Sequence, residues 1–288
     1  LMTPASLIFV LEDVNSDAVR RYCLETGDVR FRRVVERLQA ADAWPFPFRI
    51  ILVCETARPG TFFVNTLRQV GVDGTDERSL GNGLIRGRRQ AHVLLGILRE
   101  HVPGFAAARL TQTAPSLGVR ETRRIQGHAV LTVADLTAGR HFEDTVALSG
   151  FGWDLPDPKQ PSLQPMHGVD FGLPYTEVPY RCLVARGVTN LLAAGRCISV
   201  ERDVLGPVRV QPCCFATGQA AGAAAAMMAR LGAAAADIDT ARLREHLRAA
   251  GAIVECTAET DAELLEEWVQ RHRVETGQIP ARNLDTGS

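Results

Sequence analysis

The 288-residue sequence predicts a mixed α/β fold. Three observations predict it: short apolar runs of strand length, longer stretches with helical periodicity between them, and glycine or proline punctuation at the joins. Hydrophobic residues make up 46% and charged residues 23%, values of a globular chain rather than a disordered, collagenous or coiled-coil one. The 32 Lys+Arg balance the 33 Asp+Glu, so no footprint for nucleic acid or for a membrane surface is expected. The length approaches the limit for one core, and one large or two interleaved domains are expected.

The elements follow in order. Ser6–Leu11 (SLIFVL) is strand-like, and helical periodicity follows around Val29–Gln39. Arg49–Cys54 and Thr61–Asn65 suit strands on either side of the turn Arg58-Pro59-Gly60. A polar loop, Val72–Arg78, leads into a long helix from about Ser79 to His101, stopped by Pro103-Gly104. Residues 106–131 read as strands around an Arg-rich centre, Val119–Ile125. Thr132 and Asp135 have capping-box spacing for a short helix ended by Gly139, and Val146–Ser149 is a further strand.

Residues 151–179 carry Pro156, Pro158, Pro161, Pro165, Pro174 and Pro179, with Trp153, His167 and Tyr175 among them. Aromatic residues in so long an irregular stretch favour an ordered lid or a partner-contacting loop. Arg181–Ala185 and Asn190–Ala194 read as strands, and a pronounced helix runs from Pro212 to about Leu231. Helices near Thr240–Ala249 and Asp261–Arg271 form the tail, the latter with a capping box from Thr260 and Glu263.

Several chemistries are excluded. Lys159 is the sole lysine and no GxxxxGK[ST] occurs, which removes Schiff-base and P-loop lysine chemistry. The 7 cysteines show no CxxC and no Cys/His spacing suited to zinc; no metal site is expected, and scattered reduced thiols point to the cytoplasm. No GxSxG and no paired-carboxylate pattern supports a hydrolase or lyase. The opening LMTPASLIFVLEDVN lacks the flank of a signal peptide, and Cys213–Ala229 is too weakly hydrophobic for a membrane span. The Gly218-xxx-Gly222 spacing there points to close packing inside a soluble fold.

The informative stretch is Thr189–Gly222, TNLLAAGRCISVERDVLGPVRVQPCCFATGQAAG. It reads as a buried strand (NLLAA), a turn at Gly195-Arg196, an irregular loop and a helix with Pro212 at its first position. The N–H groups of Cys213, Cys214 and Phe215 would then point out of a helix start that favours an anion or an electron-rich carbonyl. Ala216, Gly218, Ala220, Ala221 and Gly222 carry almost no side chain, which lets a strand or a flat cofactor approach the helix backbone.

This order of parts resembles the C-terminal flavin-binding stretch of FAD-dependent oxidoreductases of the two-dinucleotide-binding-domain type, and more closely a bacterial FAD-dependent oxidoreductase family. The resemblance is carried by Arg120-Glu121-Thr122-Arg123-Arg124-Ile125, Gly127, Leu131-Thr132, Asp135, Gly139-Arg140, Phe142 and Asp144. It continues through Tyr180-Arg181, Leu183, Asn190–Arg196, Ile198-Ser199, Arg209 and Gly218–Gly222, and spans most of residues 1–250.

The resemblance implies a partial FAD/NAD(P)-binding Rossmann-like domain with an inserted mixed-sheet substrate domain. Residues 1–178 would form the substrate or cap domain, 179–235 the closing segment of the FAD domain, and 236–288 a helical tail. The cofactor would be FAD, met by Gly195, Arg196, Arg209, Cys213, Cys214, Gly218, Gln219, Ala220, Ala221 and Gly222. Arg196 and Arg209 would add positive charge near the flavin or the pyrophosphate, or else form salt bridges. Arg120 and Arg123 would bind an anionic small-molecule substrate or brace a sheet, with a structural Arg–Glu network as the alternative.

Two departures qualify the match. No strand–GxGxxG–helix unit occurs; Gly81-Asn82-Gly83-Leu84-Ile85-Arg86-Gly87 is the nearest and has the wrong spacing. The expectation is therefore a part or subunit of an oxidoreductase whose partner chain or domain carries that unit, or an inactive fragment or assembly subunit. The family's D-[IL]-H-D-P run reads Asp154-Leu155-Pro156-Asp157-Pro158 here, leaving His167 as the nearby acid–base candidate.

Overall fold

The structure is a computed structural model and describes residues 2–162, 164–166 and 168–256. The helix expected at Asp261–Arg271, its Thr260/Glu263 capping box and His167 lie outside the described residues. Helices and antiparallel sheets together make the mixed α/β architecture that the sequence predicts, and it is consistent with a partial FAD-binding fold. The chain divides into two compact units.

The first unit comprises, of the described residues, 2–120 and 156–162. Its sheet has the order β2-β3-β1-β4, from β1 (Ala5–Glu12), β2 (Val53–Glu55), β3 (Phe62–Gln69) and β4 (Arg109–Thr113), with each pairing antiparallel. The alternation in β1 sends Leu7, Phe9 and Leu11 into the core, where they meet Phe62, Val64 and Leu67 of β3. Helices α1 (Ser16–Thr26), α2 (Arg32–Ala40) and α3 (Glu77–His101) add Val19, Val34, Val35, Leu38, Leu94 and Leu98 to that core. α3 starts where Asp76 accepts a hydrogen bond from the Ser79 amide, and it ends at Val102, ahead of Pro103.

Residues 121–155 and 164–256 belong to the second unit. It holds α4 (Val133–Thr137), the antiparallel pair β5 (Thr145–Ser149) and β6 (Thr176–Pro179), α5 (Leu205–Val208), α6 (Gln211–Leu231) and α7 (Thr240–Ala249). α6 packs against β5 and α7, placing Cys213, Ala220 and Ala224 in a core with Val146, Val178, Leu205 and Leu243. The capping box at α4 is present: Thr132 accepts from the Asp135 amide while the Asp135 carboxylate accepts from the Thr132 amide. Burial opposes ionisation of Asp135, but the Thr132 hydroxyl and amide and the Arg140 charge outweigh it and hold the carboxyl below its usual range.

Some expected strands are corrected. Of residues 106–131 only β4 is a strand; 119–126 carry no regular secondary structure, and isolated bridges stand at Gly118, Gly127 and Leu131. Arg49–Cys54 yields the three-residue β2, shifted to Val53–Glu55. Arg181–Ala185 and Asn190–Ala194 are not strands; a 3-10 turn occupies Tyr180–Cys182 and one bridge joins Val184 to Leu192. In these segments the apolar runs are satisfied by side-chain packing and single backbone bonds rather than by a ladder.

Close approach fixes the corner after α3. Gly104 has φ +89, and a Cβ there would lie 2.6 Å from the Asn15 carbonyl oxygen and 2.7 Å from the Val19 side chain. Gly104→Ala is expected to destabilise the first unit by about 2–3 kcal/mol. Urea unfolding followed by the fluorescence of Trp44, which is buried in this unit's core, checks it.

Candidate functional site

α6 carries most of the candidate residues, and its start differs from expectation. The helix begins at Gln211, with Val210 as a cap that offers no side-chain hydrogen bond. Cys214 already donates its amide to the Val210 carbonyl at 3.0 Å, so the helical ladder starts there. Phe215 lies one residue deeper, inside the ladder. The amides ahead of the ladder are therefore those of Gln211 and Cys213, and not the three expected from a start at Pro212.

The helix has two faces. Cys213, Thr217, Ala220 and Ala224 form the buried stripe, so Ala220 is a core residue. The other face presents Phe215, which is 72% exposed, with Gly218, Gln219 and Gly222 also exposed. A Cβ built at Gly218 or Gly222 would meet nothing within 4 Å among the described residues. The expected close packing at this Gly-xxx-Gly pair is thus not made by any described residue; the face is bare. Ala221, half-buried, lies at its edge.

The 3-10 turn Gly195–Cys197 abuts this helix start. Gly195 takes φ +69, and its amide donates to the Thr217 hydroxyl at 3.0 Å. That hydroxyl in turn donates to the Cys213 carbonyl at 2.9 Å, with the Cys214 carbonyl at 3.1 Å. NLLAA ahead of the turn is not a buried strand: Leu191 is 46% exposed and Leu192–Ala194 are half-buried.

Basic side chains gather here. Burial pushes the Cys214 thiol up, while the charges of Arg196 and Arg209 act in the opposite direction. Arg209 is held by Asp154, at 2.6 Å to its carbonyl and 2.7 Å to its carboxylate. The Pro-rich stretch thereby enters the site through Asp154, with Trp153 stacked on Phe171 at 4.4 Å. Glu121 is 5% exposed and paired with Arg202 at 3.0 Å and Arg124 at 3.4 Å, the structural Arg–Glu network weighed for this segment.

Arg120 belongs to the first unit. It donates to the Pro4 carbonyl at 2.5 Å and to the Ser6 hydroxyl at 2.7 Å, bracing the start of β1. The structure therefore brings together Gly195, Arg196, Arg209, Cys213 and Cys214, places Gly218, Gln219 and Gly222 along one open face, and leaves Arg120 in the other unit. Sequence reasoning missed Thr217 and Asp154. Thr217 had a signal, a lone hydroxyl four residues after Cys213 in an Ala/Gly helix, the spacing at which Thr bonds back to the helix. The Asp154–Arg209 pair spans 55 residues and had none.

Among the described residues no His, Cys, Asp or Glu group could hold a metal ion, and no helix is long and apolar enough to cross a membrane. The residues fit one part of FAD: the unladdered Gln211 amide, guanidinium charge and an open helix face suit a flat, electron-rich ring edge.

Thr217→Val keeps the shape of the side chain but leaves the Gly195 amide without its acceptor. A loss of about 1–2 kcal/mol is expected. Hydrogen exchange at the Gly195 amide should accelerate more than at the amides of α7, which gives a local readout.

Comparisons with curated proteins and with solved structures give no match. A family model, FAD dependent oxidoreductase, matches residues 1–247. With most of its length so matched, the chain belongs to the FAD-dependent oxidoreductase family, whose cofactor is FAD.

Proposed function

We propose that this chain supplies the substrate-binding and flavin-closing parts of its oxidoreductase, and that a separate strand–GxGxxG–helix unit, on another domain or chain, holds the ADP half of FAD. The observation that carries this reading is the open face of α6, bare at Gly218 and Gly222 among the described residues and preceded by the exposed Gln211. FAD, when bound, supplies the hydride chemistry. The chain's own residues prepare the place for it. The amide dipoles at the start of α6 favour negative charge, Arg196 adds a cation, and Phe215 and Leu191 offer apolar cover against water.

In this reading the first compact unit, residues 2–120 with 156–162, takes the small-molecule substrate, and 179–235 closes the FAD domain as its Rossmann-like end. Arg120 stiffens the β1 edge of the substrate unit, Arg209 positions the Asp154 loop, and Gln219 borders the bare face. His167 remains the candidate acid–base group, because Pro156 stands where the family run has histidine. Seven scattered cysteines with no CxxC suit a reducing, cytoplasmic setting.

A second reading, a non-catalytic assembly subunit, is favoured by the exposure of Phe215, Leu191 and Val188. Reconstitution with a GxGxxG-bearing chain and FAD separates the two: turnover supports the enzyme part, and a stable colourless complex supports the assembly role. Gly218→Leu sharpens the test. Its side chain enters open space, so circular dichroism of the chain should be unchanged. Retained flavin should fall about tenfold or more, equivalent to ~1.4 kcal/mol. Full flavin retention in Gly218→Leu contradicts the assignment of this face.

A further inference from the structure

The site contains two sulfurs that the flavin reading does not use. Cys197 ends the 3-10 turn and is exposed; its sulfur lies 3.2 Å from the Ala194 carbonyl oxygen. Cys214 is half-buried in the first turn of α6, its sulfur 3.3 Å from the Arg209 carbonyl oxygen. A Cβ on Gly195 would lie 3.5 Å from that same Cys214 sulfur. Both sulfurs thus rest against one dipeptide, Ala194-Gly195, and the turn carrying one packs on the helix carrying the other. Two other thiols of this unit are more deeply buried: burial pushes Cys182 and Cys213 each up to about 12, which keeps them protonated and unreactive.

We propose that Cys197 and Cys214 are an oxidative modification site, joined as a disulfide when the protein meets a hydroperoxide. The exposed Cys197 sulfur attacks one peroxide oxygen, which breaks the O–O bond, releases water or an alcohol and leaves a sulfenic acid. The Cys214 sulfur then attacks the Cys197 sulfur. The S–S bond forms, the S–O bond breaks, and hydroxide leaves with the Cys214 proton as a second water. The two sulfurs together lose two electrons, which reduce the peroxide. The new bond ties the Gly195–Cys197 turn to the opening of α6, beside the hydrogen bond that Thr217 already makes.

Peptide mapping tests this on the full chain. Trypsin cuts after Arg196 and Arg202 and after Arg209 and Arg230, so the disulfide would join Cys197–Arg202 to Val210–Arg230. After hydrogen peroxide and then N-ethylmaleimide, the joined peptide should rise from a trace to the major form, and a reductant should remove it. Fragment ions distinguish Cys214 from Cys213 without any variant. Cys213→Ser should keep the link, and Cys214→Ser should lose it and leave Cys197 to oxidise further. A link to Cys213, or wild-type Cys197 driven to the sulfinic acid with no joined peptide, overturns the proposal.

Discussion

The Thr217 hydroxyl holds the two halves of the site in one geometry. Buried within α6, it accepts the Gly195 amide and bonds back to the carbonyls of its own first turn. The turn at Gly195–Cys197 is a short 3-10 segment, and the Gly195 amide ties it to the helix through a side chain. That side chain is buried, and the outward face of the helix at Gly218 and Gly222 stays open among the described residues. A loop fixed by a buried side chain can keep glycine and small residues at the surface where a cofactor needs close approach, because rigidity is supplied from behind.

Charge around this start is arranged on the same principle. Arg209 is anchored by Asp154, and Arg202 by the deeply buried Glu121, so each cation sits in a defined place rather than sampling solvent. Removing one member would leave its partner uncompensated in a partly dry setting, a larger loss than the net worth of the pair. Within the Arg-rich Val119–Ile125 segment, Glu121 and Arg124 belong to these networks, and the bond from the Ile125 amide to the Cys197 carbonyl adds a backbone tie.

Much of the fold was legible where the signal is local. β1, β3, α3 and α6 announce themselves by periodicity and by turn or capping residues, and the Thr132/Asp135 box is present as written. What was not legible depends on distant partners. The runs at 181–185 and 190–194 look like strands in isolation, yet no neighbouring strand among the described residues offers them a ladder. α1 was missed because its polar sequence, SDAVRRYCLET, buries only Val19 and depends on the Asn15 cap. At the site, the positions of Gly195, Arg196 and α6 followed from sequence order. The identity of the uncovered amides did not, because one residue of helix start, Gln211 in place of Pro212, decides which N–H groups enter the ladder.

A structure of the FAD-loaded assembly measures the central claim most directly. The account predicts the isoalloxazine ring beside the start of α6, with the Gln211 amide within hydrogen-bond distance of its pyrimidine edge. A ring bound away from α6, with Gly218 and Gly222 covered by protein instead, would contradict it.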